Sequence, residues 1–335
     1  MEYLHKKEKH IEPYVANIEK KQKSQNSVKK IKQKNNKDVV DWTKPEKKSP
    51  NYETDGHYST VYLIALMLGF PNEIAKKIAY YTELPDTQIN DDSAFMNYTW
   101  ASPTAQEEIH SLTAGDPITE RAKVDYELSR VLDEKNIDYK RLGELLHKYG
   151  DTYAHTRLDN PNKLYGEKNF FFMTTEHASV DGLEPDMIWK RPEDYIEYVG
   201  AISAYLYSIG KRMGLEMNYD NFDKKKFVNM ANYAKKEKKS LIGIINYEIS
   251  KYQGKDNFFI PYAQHSPDDA GNIWGGIFVT QGMDIMKTHQ EHIENTKKYL
   301  DSLKIKYSTT QVFKKMFFND KWINLYVGIR VNVLK

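Results

Sequence analysis

His147-Lys-Tyr-Gly-Asp-Thr-Tyr-Ala-His155 lies in a run, residues 139–157, whose apolar positions recur at helical spacing. On a helix, positions i, i+4 and i+8 share one face with a drift of about 40° per step, so His147, Asp151 and His155 form one stripe. Two imidazoles and a carboxylate on one stripe make a metal-ligand pattern. A solvated face on which Asp151 pairs with a protonated neighbour would carry the same three residues.

The histidine inventory bears on that choice. Of ten His in the chain, five (His57, His110, His147, His155, His177) fall within residues 57–177, and the others lie toward the two ends. Inward-facing His and carboxylates contributed by several helices are what a polynuclear site in a helix bundle requires.

Moving outward, residues 57–69 and 72–81 read as two helices separated by Phe70-Pro71, with Pro71 suited to a helix start. From Leu84 to Ser111 the pattern loosens into a polar loop that, with Glu83 just before it, offers Asp86, Asp91 and Asp92 ahead of His110. Helices are expected over 118–132, over 139–157 with a stop near Asn160-Pro161, and over 192–213 with Tyr and Ile on its apolar face. Further on, 222–252 and 282–302 read as helical, and 312–334 alternates β-branched and aromatic residues around Asn319-Asp320, the mark of a hairpin. The expectation is a mainly α protein. A basic leader (1–50) precedes a multi-helix metallohydrolase core (51–215), and a C-terminal α+β extension (216–335) ends in a β-hairpin.

Composition sets the outer limits. With 335 residues, 40% hydrophobic and 13% aromatic, the chain can bury a substantial core. It has no cysteine, so a metal would be held by nitrogen and oxygen and a thiol nucleophile is excluded. Residues 1–50 carry 14 Lys against 7 acidic groups, so this arm is +7 and the remainder −5 of the net +2. The arm, poor in apolar residues and without aromatics among the lysines of 20–37, reads as a flexible leader with no catalytic role. A basic leader could still touch anionic lipid or nucleic acid, or dock an export system.

No apolar run approaches the roughly 20 residues of a membrane span, and the first residues lack the apolar region of a signal peptide. The expectation is synthesis in the cytoplasm, with any export through a specialised secretion system. There is no GxSxG elbow, P-loop, GxGxxG or adjacent His-Asp dyad, so serine hydrolase, nucleotide-driven and dinucleotide chemistries have no motif in their favour.

The order His57, Asp86, His110, His147-xxx-Asp151, His155, His177-xxx-Asp181 resembles the zinc-dependent phospholipase C and single-strand-specific zinc nuclease superfamily over residues 55–215. The HxxxDxxxH pattern is also similar to that of other helical metallohydrolases, bacterial toxin domains among them. The resemblance implies a mostly α-helical phospholipase C-like bundle with two or three Zn2+ ions. It implies that Asp86, His110, His147 and Asp151 hold one ion, that His155, His177 and Asp181 hold a second, and that His57 contributes to a third. Asp91 or Asp92 is an alternative to Asp86, and Asp186 to Asp181. The chain departs from the pattern in the single helical turn between Asp151 and His155 and in Asp rather than Glu at 181.

Zinc lowers the pKa of bound water to about 7 and, in clusters, clamps the oxygens of a phosphodiester during displacement. Asp86 and Asp151 are the candidate catalytic carboxylates, with Asp86 able to orient a water as well as to ligate; a turn-forming role for Asp86 after Leu84-Pro85 is the alternative. Glu83 and Glu176 are candidates to orient imidazole N–H groups. Phe95, Tyr98 and Trp100 could meet a lipid head group, stack a base, or cover the core.

The resulting expectation is a zinc-dependent phosphodiester hydrolase, a phospholipase C-like enzyme of lipid degradation. It would act at a membrane surface and serve as an antibacterial toxin effector with a delivery or immunity partner. Two alternatives stand beside it: a zinc nuclease, disfavoured by the acidic balance beyond residue 50, and a non-enzymatic protein with a structural metal.

Overall fold

The structure is a computed structural model that describes residues 55–87, 103–166, 187–261, 285–318 and 321–334. A π-helical turn (Asp55–Ser59) leads into α1 (Thr60–Leu68) and α2 (Asn72–Thr87). Then come α3 (Pro103–Glu108), α4 (Pro117–Asp133), α5 (Tyr139–Ala154) and α6 (Pro192–Arg212). The C-terminal third contributes α7 (Lys224–Glu237), α8 (Ile242–Tyr252), β1 (Asn257–Pro261), α9 (Ile285–Ser302), β2 (Tyr307–Phe318) and β3 (Lys321–Val333). The expectation of a mainly helical chain ending in a small β unit holds.

Helix α1 is apolar around nearly its whole circumference, and residues 60–65 are all buried, so it forms the central rod of the bundle. It stops at Gly69, whose φ of 101° supplies the left-handed cap and returns its N–H to Ala65 and Leu66. Helices α2, α6 and α8 pack directly on it. Asp116 and Asp138, each accepting backbone N–H groups of the following turn, start α4 and α5. One apolar cluster runs from Val61 to Ile249 and includes Phe227, Met230 and Ile245, so side chains from both sides of residue 215 share a core.

Several boundaries differ from the sequence reading. The loop expected from Leu84 begins later: α2 continues through Pro85 to Thr87, which places Asp86 on a helix. Pro85 forfeits the bond its N–H would give to the Tyr81 carbonyl and crowds that carbonyl with its ring, a cost confined to the last turn, where Leu84 is buried and the helix ends at Thr87. The helix expected to reach 157 ends at Ala154, leaving His155 as the C-cap. The continuous helix expected over 222–252 is two helices, broken where Lys238 takes the left-handed conformation at φ 54°.

The sheet is antiparallel in the order β1-β3-β2. Strands β2 and β3 form the expected hairpin, longer than predicted at its N-terminal end because Tyr307–Gln311 pair with Ile329–Val333. Strand β1 was not anticipated; it adds to β3 from Asn257 opposite Asn332 to Pro261 opposite Gly328. Five residues flanked by polar ones carry too little alternation to register as a strand. Ile260, Ile293, Leu300, Ile329 and Val331 make a second, smaller core under the sheet.

Candidate metal centre

Four elements converge on one buried point. Helix α5 supplies His147 and Asp151, one turn apart on its inner face, and the last turn of α2 supplies Asp86. The turn after α3 supplies His110, and the π-helical turn supplies His57. Bulges of the π type are frequent at functional sites because they re-aim a side chain within a helix. Here the turn is anchored by Asp55, whose Oδ2 accepts from Ser240 Oγ at 2.8 Å and the Leu241 N–H at 2.7 Å. The Thr60 hydroxyl donates to the Asp55 carbonyl.

Two glycines let the elements come this close. A Cβ at Gly143 would meet the backbone carbonyl carbon of Tyr81 at 2.4 Å, so the bare Cα allows α2 to lie against α5. A Cβ at Gly150 would meet the His57 ring at 2.9 Å and the Tyr198 ring at 3.2 Å. Glycine inside a helix costs about 1 kcal/mol relative to alanine. Both positions spend that stability on close approach.

The close approach fixes tautomers. His147 Nδ1 donates its proton to the Thr82 carbonyl at 2.9 Å, and His155 Nδ1 donates to the His110 carbonyl at 2.6 Å. In the neutral ring this leaves Nε2 of each as a lone pair, the form in which imidazole binds a metal, oriented by a carbonyl behind it. Burial lowers the pKa of His147, which keeps it neutral. Burial alone would raise the pKa of Asp151; a proton on any of the histidines around it, His147, His155 or His110, instead holds it well below the usual carboxylate range.

His147 Nε2 lies 3.1 Å from His110 Nδ1, 3.2 Å from Asp151 Oδ2 and 3.7 Å from Asp86 Oδ1. His110 Nδ1 is 3.4 Å from Asp151 Oδ2 and 3.6 Å from Asp86 Oδ1. Ligand bonds of roughly 2.0–2.1 Å in a tetrahedron separate neighbouring ligand atoms by roughly 3.3–3.4 Å. The five separations bracket that spacing. A lone pair on His147 Nε2 facing a carboxylate oxygen is repulsive by itself, and a single shared proton relieves only one such contact. These buried and partly buried side chains could hold a metal ion in either of two sets of three, His110 with His147 and Asp151, or His57 with Asp86 and His147.

His57 Nε2 donates to Asp151 Oδ1 at 3.0 Å, on the other oxygen of the carboxylate. It also groups with Asp86 and His147 as a second set of convergent ligand atoms. The structure thus brings His57 into the same cluster rather than to a separate place. His155 is buried at the end of α5, its Nδ1 3.8 Å from Asp151 Oδ2. His177 and Asp181 lie outside the described residues, as do Asp91, Asp92, Phe95, Tyr98, Trp100, Glu176 and Asp186. Of the residues expected to orient imidazoles, Glu83 is buried beside the cluster, but the groups that receive the His147 and His155 protons are backbone carbonyls. Their one sequence signal is spacing: Thr82 and Asp86 are four apart and share a face of α2.

Compared with protein-family models, with curated proteins and with solved structures, the chain gives no match. Among the described residues no helix is long and apolar enough to cross a membrane.

Proposed function

We infer that the chain is a metal-dependent phosphodiester hydrolase, with zinc as the metal and a phospholipase C-like activity. The observation that carries this reading is the convergence of three ligand atoms, His110 Nδ1, His147 Nε2 and Asp151 Oδ2, 3.1–3.4 Å from one another, a three-protein-ligand set of the kind that leaves a catalytic zinc one open position, with Asp86 Oδ1 3.6–3.7 Å from the two histidines. Nitrogen and oxygen donors at this spacing suit zinc better than calcium or magnesium, which prefer six or more oxygens. Bound there, zinc would supply a Lewis acid for a phosphoryl oxygen and an acidified water.

The chain's own residues have separable tasks in this scheme. His147 and His110 are neutral ligands, and Asp151 and Asp86 balance the charge. His57, hydrogen-bonded to Asp151, keeps that carboxylate turned toward the centre. His155, with Nδ1 held by the His110 carbonyl, offers Nε2 to a second ion completed by His177 and Asp181. Phospholipid is placed ahead of nucleic acid because the chain beyond residue 50 carries a net −5.

The test compares the zinc-loaded and chelator-treated protein on bis(p-nitrophenyl) phosphate, on phosphatidylcholine vesicles and on single-stranded DNA. Zinc-dependent release of phosphocholine is the expected result. Cleavage of DNA alone would transfer the reading to a nuclease. One observation favours a second reading: His147 and Asp151 are 0% and 1% exposed, as in a closed structural site. A metal-loaded protein inactive on all three substrates would establish that reading instead.

A further inference from the structure

His57 stands at the middle of the five-residue π-helical turn, and both ends of that turn are fastened to α8, far away in the sequence. At the first residue, the Asp55 carboxylate accepts from Ser240 Oγ at 2.8 Å and from the Leu241 N–H at 2.7 Å. Ser240 Oγ in turn accepts from the Ile242 N–H at 3.2 Å. Leu241, at the N-cap position, has no polar side chain to satisfy these first donors of α8, so Asp55 and Ser240 cap the helix together.

At the last residue, Ser59 Oγ donates to Asn246 Oδ1 at 3.0 Å, further along α8. The Asn246 amide donates to the Phe259 carbonyl on β1 at 2.9 Å, which fixes its oxygen toward Ser59. Helix α8 is itself held from behind: Asn295 on α9 donates to the Ser240 carbonyl at 3.0 Å, and Gly243, lacking a Cβ, lets α9 lie against α8 at Thr296. All of these partners come from the region that the sequence sets apart as a C-terminal extension. Between the two fastened ends, buried His57 places Nε2 3.0 Å from Asp151 Oδ1. A hydrogen bond weakens steeply as its angle closes, so this one depends on where the turn is held.

We propose that α8 is a bracket for the metal centre, with Asp55 and Ser59 as positioning residues that aim the His57 N–H at Asp151. Through that bond they hold Asp151 Oδ2 toward His147 and His110, from which it lies 3.2 and 3.4 Å. The proposal rests on the metal-site reading above and gives the C-terminal third a part in metal binding. Asp55 and Ser59 act through His57 and touch no ion.

The experiment is a double-mutant cycle for zinc affinity on the full chain, read by competition with a chromophoric chelator in protein that dichroism shows to be folded. Asp55→Ala and Ser59→Ala are each made in the wild type and in His57→Ala. Asp55→Ala should weaken zinc binding by about tenfold, the low end of what loss of a partner behind a metal ligand costs, and Ser59→Ala by less. In His57→Ala, which keeps His110, His147 and Asp151, neither change should weaken it by more than about twofold. A loss of affinity caused by general loosening of the fold would be the same in both backgrounds. Ser59→Ala decides the matter alone should Asp55→Ala not fold. Equal losses in the two backgrounds, or wild-type affinity in the single variants, would overturn the inference and leave the metal site standing. A folded His57→Ala that takes up no zinc would also overturn it, since His57 would then be an indispensable ligand. A wild type that binds no zinc would remove the metal site and the inference with it.

Discussion

Asp151 is the residue on which the cluster turns, because one oxygen accepts from His57 while the other faces His147 and His110. Asp151→Asn keeps the shape and removes the charge, and it places an amide where an acceptor is needed. Zinc affinity should fall by more than about 100-fold, since removing even an outer partner of a metal ligand costs 10–100-fold. Far-ultraviolet dichroism should be unchanged, because the side chain makes no helix cap. Zinc titration of the purified variant checks this, and wild-type affinity in Asp151→Asn would remove Asp151 from the ligand set. The sequence made His147 and Asp151 legible because spacing of four on a helix is a local property. Convergence of His57, 94 positions away from Asp151, was legible only through a resemblance, and its placement beside Asp151 rather than at a distant ion was not. The carbonyls of Thr82 and His110 were invisible for a simpler reason: every residue has a carbonyl.

At the scale of elements, the approach of α2 to α5 holds Thr82 and Asp86 over His147. Gly143→Ala should force the two helices apart, since the new Cβ would meet the Tyr81 backbone at 2.4 Å. Overpacking of this kind costs roughly 1–3 kcal/mol. The urea midpoint should drop accordingly, and zinc affinity should drop with it as the Thr82 carbonyl withdraws from His147. A stability loss with undiminished zinc affinity would show that the interhelical distance does not govern the site. Element existence was readable wherever apolar periodicity ran long, as in α5 and α6, and ends were not. Pro85 reads as a breaker from sequence, yet its cost is confined to the last turn, where Leu84 is buried. Strand β1 depends on its pairing with β3, over 60 residues later, and that pairing has no local signature.

For the molecule as a whole, acid stability should be set in part far from the metal centre. His292 on α9 is buried, and burial together with neighbouring His289 lowers its pKa to about 4, opposed by Glu291 and reinforced by Lys239. A histidine whose folded pKa is depressed contributes stability fully present above its unfolded pKa of about 6.5. That contribution is lost as pH falls from 6.5 toward 4, and it amounts to on the order of 2–3 kcal/mol. Denaturant unfolding at pH 7 and pH 4.5 should show this loss in the wild type and a smaller one in His292→Leu. An identical loss in the two proteins would place the acid sensitivity elsewhere.

Whether the cluster binds metal is decided by the metal content of the purified chain, measured by plasma mass spectrometry on the wild type and on His147→Ala. At least one zinc per chain is expected in the wild type, with a second if His155, His177 and Asp181 complete their site, and the first ion should be lost in His147→Ala without loss of helix content. A wild type that holds no metal after incubation with zinc would contradict this expectation, and the buried histidines and carboxylates would then be a proton-shared structural network.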